Sequence, residues 1–572
     1  MKYDLILKNC RVADVAKMKI SDTVDIAIKN GIIADIGVLA CNLATRTIDC
    51  ENKIASPSFI DAHVHIESSM VSPREFAKAI LPHGTTTVVA DPHEIVNVGG
   101  ATALDEFLNM TNDAVVDIFT VVPSSVPATP FDTNGAGEFL AKDMQKYVCD
   151  HRVVGLGEVM CFTEVLAGDK KILDKIALFK DKTIDGHTAG LEADKLTRYS
   201  SVGIQNDHEC VTFEDAKARI ECGMNVYIRE GSAAHNVEAI ISGLVEYNKN
   251  AEINGAKKLP IDNFAFCTDD KHLSTIYREG HIDRNVALAV SLGLPLLDAV
   301  KMASTSPARF YKLQDRGSIE IGKIADIVLL ESEMNPKVSM VFKRGVSACD
   351  ILKNDEIATR NVQNNLQNNV QNSVQNSVQN SVHFKDFVAK DFEVFWKEKN
   401  TAIQLIENQL LTNAVPLSQE EAQKATLLAT IERYGKNGNY SICPLLGYDI
   451  KCGAVATSVS HDSHNVVVAG DNASDMACAV NRLKQIGGGY VIASGGKIEG
   501  ELCLDIAGLM SSSGAEAVAD KIAQLEKIAK SLGVNPNIDA FTTLSFIALP
   551  VIPFVRLLDT GLFDVLNRKF ID

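Results

Sequence analysis

The sequence predicts an α/β protein: a (β/α)8 TIM-like barrel, a composite small β domain from both flanks of the barrel, and a C-terminal α+β domain. Three observations predict this organisation. In residues 56–304, short apolar runs alternate with helical stretches, as in a parallel barrel. Segments of β character flank this region at 1–55 and 305–355. A last region, 385–572, again mixes strands and helices.

The two flanks are predicted to form one β domain. The N-terminal flank contains short β-like runs, and Asn30-Gly31 lies between two of them, which is a strong signal for a tight hairpin turn. After Pro307 the runs GSIEIGKIADIVLLE and VSMVFKRGVSACDIL restore the β character. We expect these strands to join the N-terminal ones beside the barrel.

The central region has the repeat pattern of a barrel. Runs such as TTTVVAD, VDIFTVV, RVVGLGEV, IDGHT and NFAFCTDD are predicted strands separated by helices. About 250 residues is the usual size of such a barrel. A helix start is also predicted at Thr212, because Asp215 follows it at capping-box spacing.

One stretch departs from the ordinary composition of the chain. From Val362 to Val382 the sequence is a near-perfect tetrapeptide repeat, VQNNLQNNVQNSVQNSVQNSV. A helix would place the apolar residues at i, i+4, but that stripe winds around the helix axis, and Asn, Ser and Val are middling helix formers. We predict a linker, residues 356–384, with a helix as the alternative.

Composition excludes several classes of protein. The chain has 56 basic and 73 acidic residues, a net charge of −17, which disfavours nucleic acid as a partner. Its 13 cysteines do not suggest a disulfide framework, and residues 1–30 do not resemble a secretory signal, so we expect a cytoplasmic protein. The apolar stretch 540–555 contains prolines and is short for a membrane span, which predicts buried core and no membrane association.

The most informative local pattern is PSFIDAHVHIESSM, residues 57–70. Alternate side chains of a strand share a face, so Asp61, His63, His65 and Glu67 are expected on one side. Two imidazoles spaced in this way at a strand end can reach one metal ion. The alternative is a pair of surface histidines on an edge strand.

Other candidate ligands follow predicted strands, at the barrel edge where active sites are built. They are Glu158 after VVGLG, His187 after TIDG, His208 in QNDHE, and Asp269 at the end of NFAFCTD. Each alone could be a helix cap or a solvated turn. Together with His63 and His65 they supply imidazoles and carboxylates for two divalent ions bridged by one carboxylate.

At these residues the sequence resembles the amidohydrolase superfamily, and within it the adenine deaminases of purine salvage. The resemblance runs through FIDAHVHIESSM, HGTTTVVADPHEIVNV, VVGLGEVM, DGHTAGL, GIQNDHEC, YIREGSAAHN and CTDD. It continues beyond the repeat through SVSHDSHNVVVAG and LSFIALPVIP. The motifs ADPHE, REGS and HDSHN are narrower than the two-histidine strand and indicate the adenine deaminase branch.

The resemblance implies a set of metal ligands: His63, His65 and Asp269 for one ion, His187 and His208 for the other, and Glu158 bridging both. Cyclic amidases of the superfamily have a carboxylated lysine where this chain has Glu158, which disfavours that branch. The resemblance further implies Mn²⁺ in the active form, with Fe²⁺ or Zn²⁺ possible, and a homodimer or higher homo-oligomer.

The implied reaction is hydrolysis of adenine to hypoxanthine and ammonia by attack of a metal-bound hydroxide on C6. Catalytic roles are expected for Asp269, which transfers a proton to the leaving amine, for Glu158, and for Glu230 in REGS as the acid for the purine ring. Substrate contacts are expected from Glu94, His93, His461 and Asp462, the last two on a loop that could close over the barrel mouth. The alternative function is hydrolysis of another aminated heterocycle or a cyclic amide. A catalytically inactive barrel would have lost ligands, and this set is complete.

Overall fold

The N-terminal flank folds into strands that begin one side of a mixed sheet. The computed structural model describes residues 2–232, 234–366, 381–407 and 409–571. The first strands are β1 (Tyr3–Asp14), β2 (Lys19–Lys29), β3 (Ile32–Gly37), β4 (Ala44–Asp49) and β5 (Ile54–Pro57). Between β2 and β3, Asn30 and Gly31 have φ angles of 52° and 74°, the left-handed conformation of a tight hairpin turn. The predicted hairpin is confirmed.

The central region is an 8-stranded parallel sheet whose strands follow chain order, and the predicted barrel is confirmed. The strands are β6 (Phe59–Val64), β7 (Thr85–Ala90), β8 (Asp117–Val122), β9 (Val153–Val159), β10 (Thr183–Gly186), β11 (Asn206–Asp207), β12 (Asn225–Arg229) and β13 (Phe264–Cys267). A parallel bridge between Val64 and Asp269 closes the ring at its carboxyl end. There the backbone N–H of Asp269 donates to the His63 carbonyl at 3.0 Å.

Helices cover the outside of the barrel, as the alternating pattern predicts. They are α1 (Pro73–Ile80), α2 (His93–Met110), α3 (Ala141–Met144), α4 (Phe162–Ala167), α5 (Lys170–Leu178), α6 (Ala193–Ser200), α7 (Phe213–Glu221), α8 (Val237–Ile253), α9 (Leu273–Glu279), α10 (Ile282–Ser291), α11 (Leu296–Ala303) and α12 (Thr305–Phe310). The predicted cap at Thr212 is present: its hydroxyl accepts from Asp215 N, and Asp215 Oδ2 accepts from Thr212 N at 3.1 Å.

The chain then returns to the first sheet through β14 (Ile327–Leu330), β15 (Val338–Lys343) and β16 (Val346–Ser347). The sheet has the order β16-β15-β14-β5-β1-β2-β3, with β4 paired to β1. Its central junction is antiparallel pairing of β14 with β5, so strands from both flanks share one sheet. This arrangement matches the expected composite β domain.

Helix α13 (Ala348–Leu366) follows β16 and covers the first part of the stretch predicted as a linker. The repeat is therefore helical from 362 to 366, as in the alternative interpretation, and its residues 367–380 lie outside the described residues. Val382 and Phe384 are buried in a hydrophobic cluster of the C-terminal domain. The predicted linker, 356–384, thus includes residues that belong to structured elements at both of its ends.

The C-terminal region is an α+β domain, as predicted. Its main sheet is 8-stranded, in the order β18-β17-β20-β19-β22-β21-β23-β24. The strands are β17 (Lys399–Leu405), β18 (Thr412–Ser418), β19 (Thr426–Ile431), β20 (Tyr440–Leu446), β21 (Ala454–Thr457), β22 (Val466–Gly470), β23 (Gly489–Ser494) and β24 (Lys497–Cys503), with a small sheet of β25 (Val555–Leu558), β26 (Gly561–Asp564) and β27 (Lys569–Phe570). The helices are α14 (Gln419–Lys424), α15 (Ala473–Gln485), α16 (Ala515–Ser531) and α17 (Ala540–Phe546).

The apolar stretch 540–555 forms α17 and the turns after it, with Ala540, Phe541 and Leu544 buried. Among the described residues, none of the helices has the length and apolar character needed to cross a bilayer.

Candidate active site

The predicted metal ligands meet at the carboxyl end of the barrel. His63 is the last residue but one of β6, Glu158 lies in β9, and His187, His208 and Asp269 follow β10, β11 and β13. Because the carboxyl ends of parallel strands share one rim, these separate segments converge on one point.

The first half of the cluster is made by His63, His65 and Asp269. Nε2 of His63 lies 3.1 Å from Nε2 of His65. Asp269 Oδ1 lies 3.1 Å from His65 Nε2 and 3.6 Å from His63 Nε2. His65 Nδ1 is 2.9 Å from the Asp91 carbonyl and must donate to it, so in the neutral ring His65 Nε2 carries a lone pair. The lone pair of His65 Nε2 therefore faces Asp269 Oδ1, and a proton or a cation between them satisfies both atoms. This set of nitrogen and oxygen ligands fits a divalent metal ion.

Glu158 connects this half to the second. Its Oε1 lies 3.4 Å from His65 Nε2. Its Oε2 lies 2.6 Å from His187 Nδ1 and 3.1 Å from His208 Nε2. One carboxylate therefore faces the imidazoles of both halves, which is the geometry required of a bridging ligand.

A bulge in β6 sets the orientation of His63 and His65. The pairing of β6 with β7 shifts register between Asp61 and Val64, which resets the alternation of the strand. The expectation that Asp61 shares the metal-facing side is wrong, because its carboxylate accepts from Thr268 N at 3.1 Å and faces His281 Nε2 at 3.2 Å. Glu67 lies on a 3₁₀ turn beyond the strand and accepts from Ile95 N at 3.3 Å.

The carboxylates of the cluster are held in their anionic form beside the imidazoles. Burial alone would raise the carboxyl pKa values, but His187 holds the pKa of Glu158 well below its usual range, and His63 and His65 do so for the pKa of Asp269. Burial alone would lower the pKa of His187, yet the Glu209 and Glu158 carboxylates raise it to about 9. Anionic carboxylates held against imidazoles are the charge pattern of a metal centre.

Asp91 supports Glu158 from the end of β7, the second neighbour of β9 in the sheet. Its Oδ2 accepts from the backbone N–H of Glu158 at 3.0 Å. A Cβ on Gly157 would lie 2.3 Å from that same oxygen. Glycine at 157 therefore leaves the space in which the Asp91 carboxylate sits.

Two residues that were not predicted complete the rim. Glu209 Oε1 lies 3.6 Å from His208 Nε2 and 3.7 Å from His187 Nδ1. Arg229 forms an ion pair with Glu209 and donates to Asp269 Oδ2 at 3.1 Å. The sequence signals are the position of Glu209 directly after His208, a predicted ligand, and of Arg229 at the end of β12.

Glu230, predicted as the ring acid, is directed elsewhere. Its carboxylate faces His235 Nδ1 at 3.1 Å and accepts from Val237 N at 3.4 Å, at the start of α8. The base that pairs with Glu230 is His235, whereas the adjacent Arg229 contacts Glu209 and Asp269. This placement argues against the predicted role of Glu230.

A loop of the C-terminal domain lies against the barrel mouth. His93 Nδ1 is 3.2 Å from Glu158 Oε1, and its Nε2 is 3.5 Å from Asp462 Oδ1. Beside it, Glu94 Oε1 lies 2.6 Å from His461 Nδ1. The structure thus brings together the residues predicted to contact substrate, at the first turn of α2.

His464 belongs to the same group but was not among the predicted site residues. Its Nε2 lies 3.6 Å from Glu94 Oε2, and it is completely buried. Its presence in the HDSHN motif was the available signal.

Comparison with known proteins agrees with this geometry. Residues 54–348 match the amidohydrolase family model, and residues 404–569 match the model of the adenine deaminase C-terminal domain. An adenine deaminase of Desulfitobacterium hafniense (strain Y51) is 37% identical over 578 residues, covering 100% of this chain and 96% of the relative. One from Lysinibacillus sphaericus (strain C3-41) is 38% identical over 587 residues, covering 100% and 96%. One from Clostridium acetobutylicum is 37% identical over 580 residues, covering 99% and 97%. The chain therefore belongs to the adenine deaminase family, on an amidohydrolase barrel.

Proposed function

We propose that this protein hydrolyses adenine to hypoxanthine and ammonia, as an enzyme of purine salvage. The observation that carries the proposal is the cluster of imidazoles and carboxylates around Glu158, in a chain whose full-length relatives are adenine deaminases. A neutral base also suits a protein with a net charge of −17 better than a nucleotide would.

The ligands support a binuclear centre. His63, His65 and Asp269 would hold one ion, His187 and His208 the other, and Glu158 would bridge them. Manganese is our assignment for the active form, with iron or zinc as alternatives, because nitrogen and oxygen ligands suit all three. When bound, the cations lower the pKa of a coordinated water and neutralise negative charge that develops on oxygen.

The protein groups supply positioning and proton transfer. Asp269 directs Oδ1 toward the ligand histidines, while Arg229 holds Oδ2 at 3.1 Å. We assign Asp269 as the group that takes a proton from the attacking water and passes it to the departing amine. Glu94, His93, His461 and Asp462 are assigned to contact the purine, since they form the wall between α2 and the C-terminal loop.

A homo-oligomeric assembly and a cytoplasmic location stay predictions. Subunit number is measured by light scattering of the purified protein, and location by fractionation of the source cells.

Ammonia release tests the function directly. Metal-depleted protein is reloaded with Mn²⁺ and incubated with adenine, with adenosine and with a hydantoin. We expect ammonia from adenine, no ammonia from adenosine, and no ring opening of the hydantoin, which is followed separately because that reaction releases no ammonia. Turnover of the hydantoin without ammonia from adenine would refute the proposal, and a His151→Ala variant, altered at a side chain that is 92% exposed, serves as control.

A further inference from the structure

We propose that His461, contributed by the C-terminal domain, is the acid that protonates the purine ring when C6 is attacked. The inference rests on the proposed function and replaces Glu230 in that role. It makes the C-terminal domain a source of a catalytic residue and not only a cover for the barrel.

The His461 ring is fixed in position. Its Nδ1 lies 2.6 Å from Glu94 Oε1 and, because that oxygen belongs to a carboxylate, Nδ1 is the donor. The ring stacks on Phe546 with centroids 4.3 Å apart and planes 18° apart. Its backbone N–H donates to the Ser545 carbonyl at 2.8 Å. Within the described residues these contacts engage Nδ1 and the ring face, which leaves Nε2 to meet a substrate.

Glu94 is held as a carboxylate and is therefore a poor candidate for the acid itself. The backbone N–H of Ser460 donates to His464 Nδ1 at 3.2 Å, so the proton of the neutral His464 ring is on Nε2. That Nε2 faces Glu94 Oε2 at 3.6 Å. Glu94 also lies in the first turn of α2, where the helix dipole stabilises negative charge. Because both of its oxygens face N–H groups, Glu94 can orient the His461 ring and stabilise its protonated form.

The charged groups around His461 favour the imidazolium form. The groups that face it are Glu94 on α2, Asp270 after β13, and Asp462 and His464 on its own loop. Burial alone would lower the pKa of His461, but Glu94, Asp270 and Asp462 outweigh it and raise the pKa to about 9. At neutral pH a proton is thus available on Nε2.

The loop that carries His461 is connected to the candidate metal ligands through His93. The next residue, Asp462, faces His93 Nε2 at 3.5 Å, and His93 Nδ1 faces Glu158 Oε1 at 3.2 Å. A purine above Glu158 would therefore have the His461 loop along one edge.

The proton balance is complete. As the water oxygen bonds to C6, the C6–N1 π bond breaks, its electron pair goes to N1, and N1 takes the proton from His461 Nε2. Asp269 carries one water proton to the amino group, and the C6–N bond breaks with its electron pair on ammonia. The hydroxyl on C6 loses the second water proton as the C6 carbonyl forms, and that proton returns to His461 through solvent. The N1 proton stays in hypoxanthine.

The test compares His461→Gln with the manganese-loaded wild type. Glutamine keeps a polar group near Glu94 but cannot act as an acid at neutral pH. We expect kcat to fall by about 10²–10⁴-fold, the usual contribution of general acid catalysis. KM and the content of two metals per chain should stay close to wild type, and the alkaline decline of kcat/KM should disappear. A kcat within tenfold of wild type, or an unchanged alkaline decline, overturns the inference.

A second variant tests the inference if His461→Gln does not fold. Glu94→Gln removes the negative charge that stabilises the imidazolium, so the alkaline decline should move to lower pH, and an unmoved decline overturns the inference. His151→Gln is the matched control. Absence of adenine turnover in the wild type would instead refute the proposed function, so the two failures are distinguishable.

Discussion

Asp91 accepts a hydrogen bond from the backbone N–H of Glu158 at 3.0 Å, so the strand that carries Glu158 is attached to the end of its second neighbour in the sheet. This contact requires the close approach of Asp91 to Gly157. The site therefore depends on a residue without a side chain next to its central ligand.

Substitution of that glycine should damage the metal site. In Gly157→Ala the new Cβ would lie 2.3 Å from Asp91 Oδ2, so carboxylate or backbone must move. We expect a loss of about 1–3 kcal/mol of stability, as for other overpacked positions, and less bound metal per chain. Thermal denaturation and elemental analysis measure both. Gly37→Ala, where the added Cβ meets no atom within 4 Å, should leave both unchanged.

Removal of ligands from the first half should abolish catalysis. In the double variant His63→Ala with Asp269→Ala, two of the three groups around one ion are lost. We expect adenine deamination to fall by more than about 10³-fold, together with loss of metal. Ammonia assays and metal analysis of the purified variant measure this, with His151→Ala as control. Retained activity would contradict the ligand assignment.

The ion pairs of Arg229 with Asp269 and Glu209 should support metal binding and catalysis. Arg229→Met leaves two carboxylates without their shared cation, and we expect metal affinity or kcat/KM to fall by about 10–100-fold, the usual effect of losing a group that supports metal ligands. Arg229→Lys should show a smaller loss, because charge is kept but the forked geometry is not. Metal titration and steady-state kinetics distinguish the variants. Equal activity of Arg229→Met and Arg278→Met, a substitution at an exposed arginine, would contradict this prediction.

The contact between barrel and composite sheet should weaken in acid. Although burial alone would raise it, Lys343 and Arg316 lower the pKa of Asp117 to about 2, below its ordinary value of 3.8. Because the pKa of Asp117 is lower in the folded state than in the unfolded state, its ion pairs stabilise the fold above pH 4. This stabilisation is lost as the pH falls toward 2.

Asp117→Asn should therefore cost about 2 kcal/mol at pH 7 and less at pH 3. Denaturation midpoints at the two pH values measure the difference. The exposed substitution Asp113→Asn is the control, and a loss for Asp117→Asn that does not shrink in acid would rule out this explanation.

Much of the fold and most of the cluster could be predicted because they depend on simple periodicities. The alternation of strands and helices indicates the barrel, and polar residues just after its strands must lie on one rim. Asp61 escaped this reasoning because a bulge in β6 reverses the face of a side chain without altering the apolar pattern.

The sequence does not show which acidic residue after a strand reaches the cluster. Glu209 and Glu230 both follow short strands, but Glu209 turns toward His187 and His208, whereas Glu230 turns to the start of α8. Glu209 is the second residue after β11 and Glu230 the first after β12, so position after the strand does not by itself determine which carboxylate reaches the rim. The partner of Glu94 could not be predicted from spacing at all, since His461 and His464 come from another domain.

The closure of the barrel between Val64 and Asp269 has a consequence for handling the protein. His63 and Asp269 stand on opposite sides of this seam, one at the first strand and one after the last. An ion bound by both residues would link the first and last strands of the barrel. Chelation would then remove one link across the seam as well as stop the chemistry, while the hydrogen bond from the backbone N–H of Asp269 to the His63 carbonyl would remain.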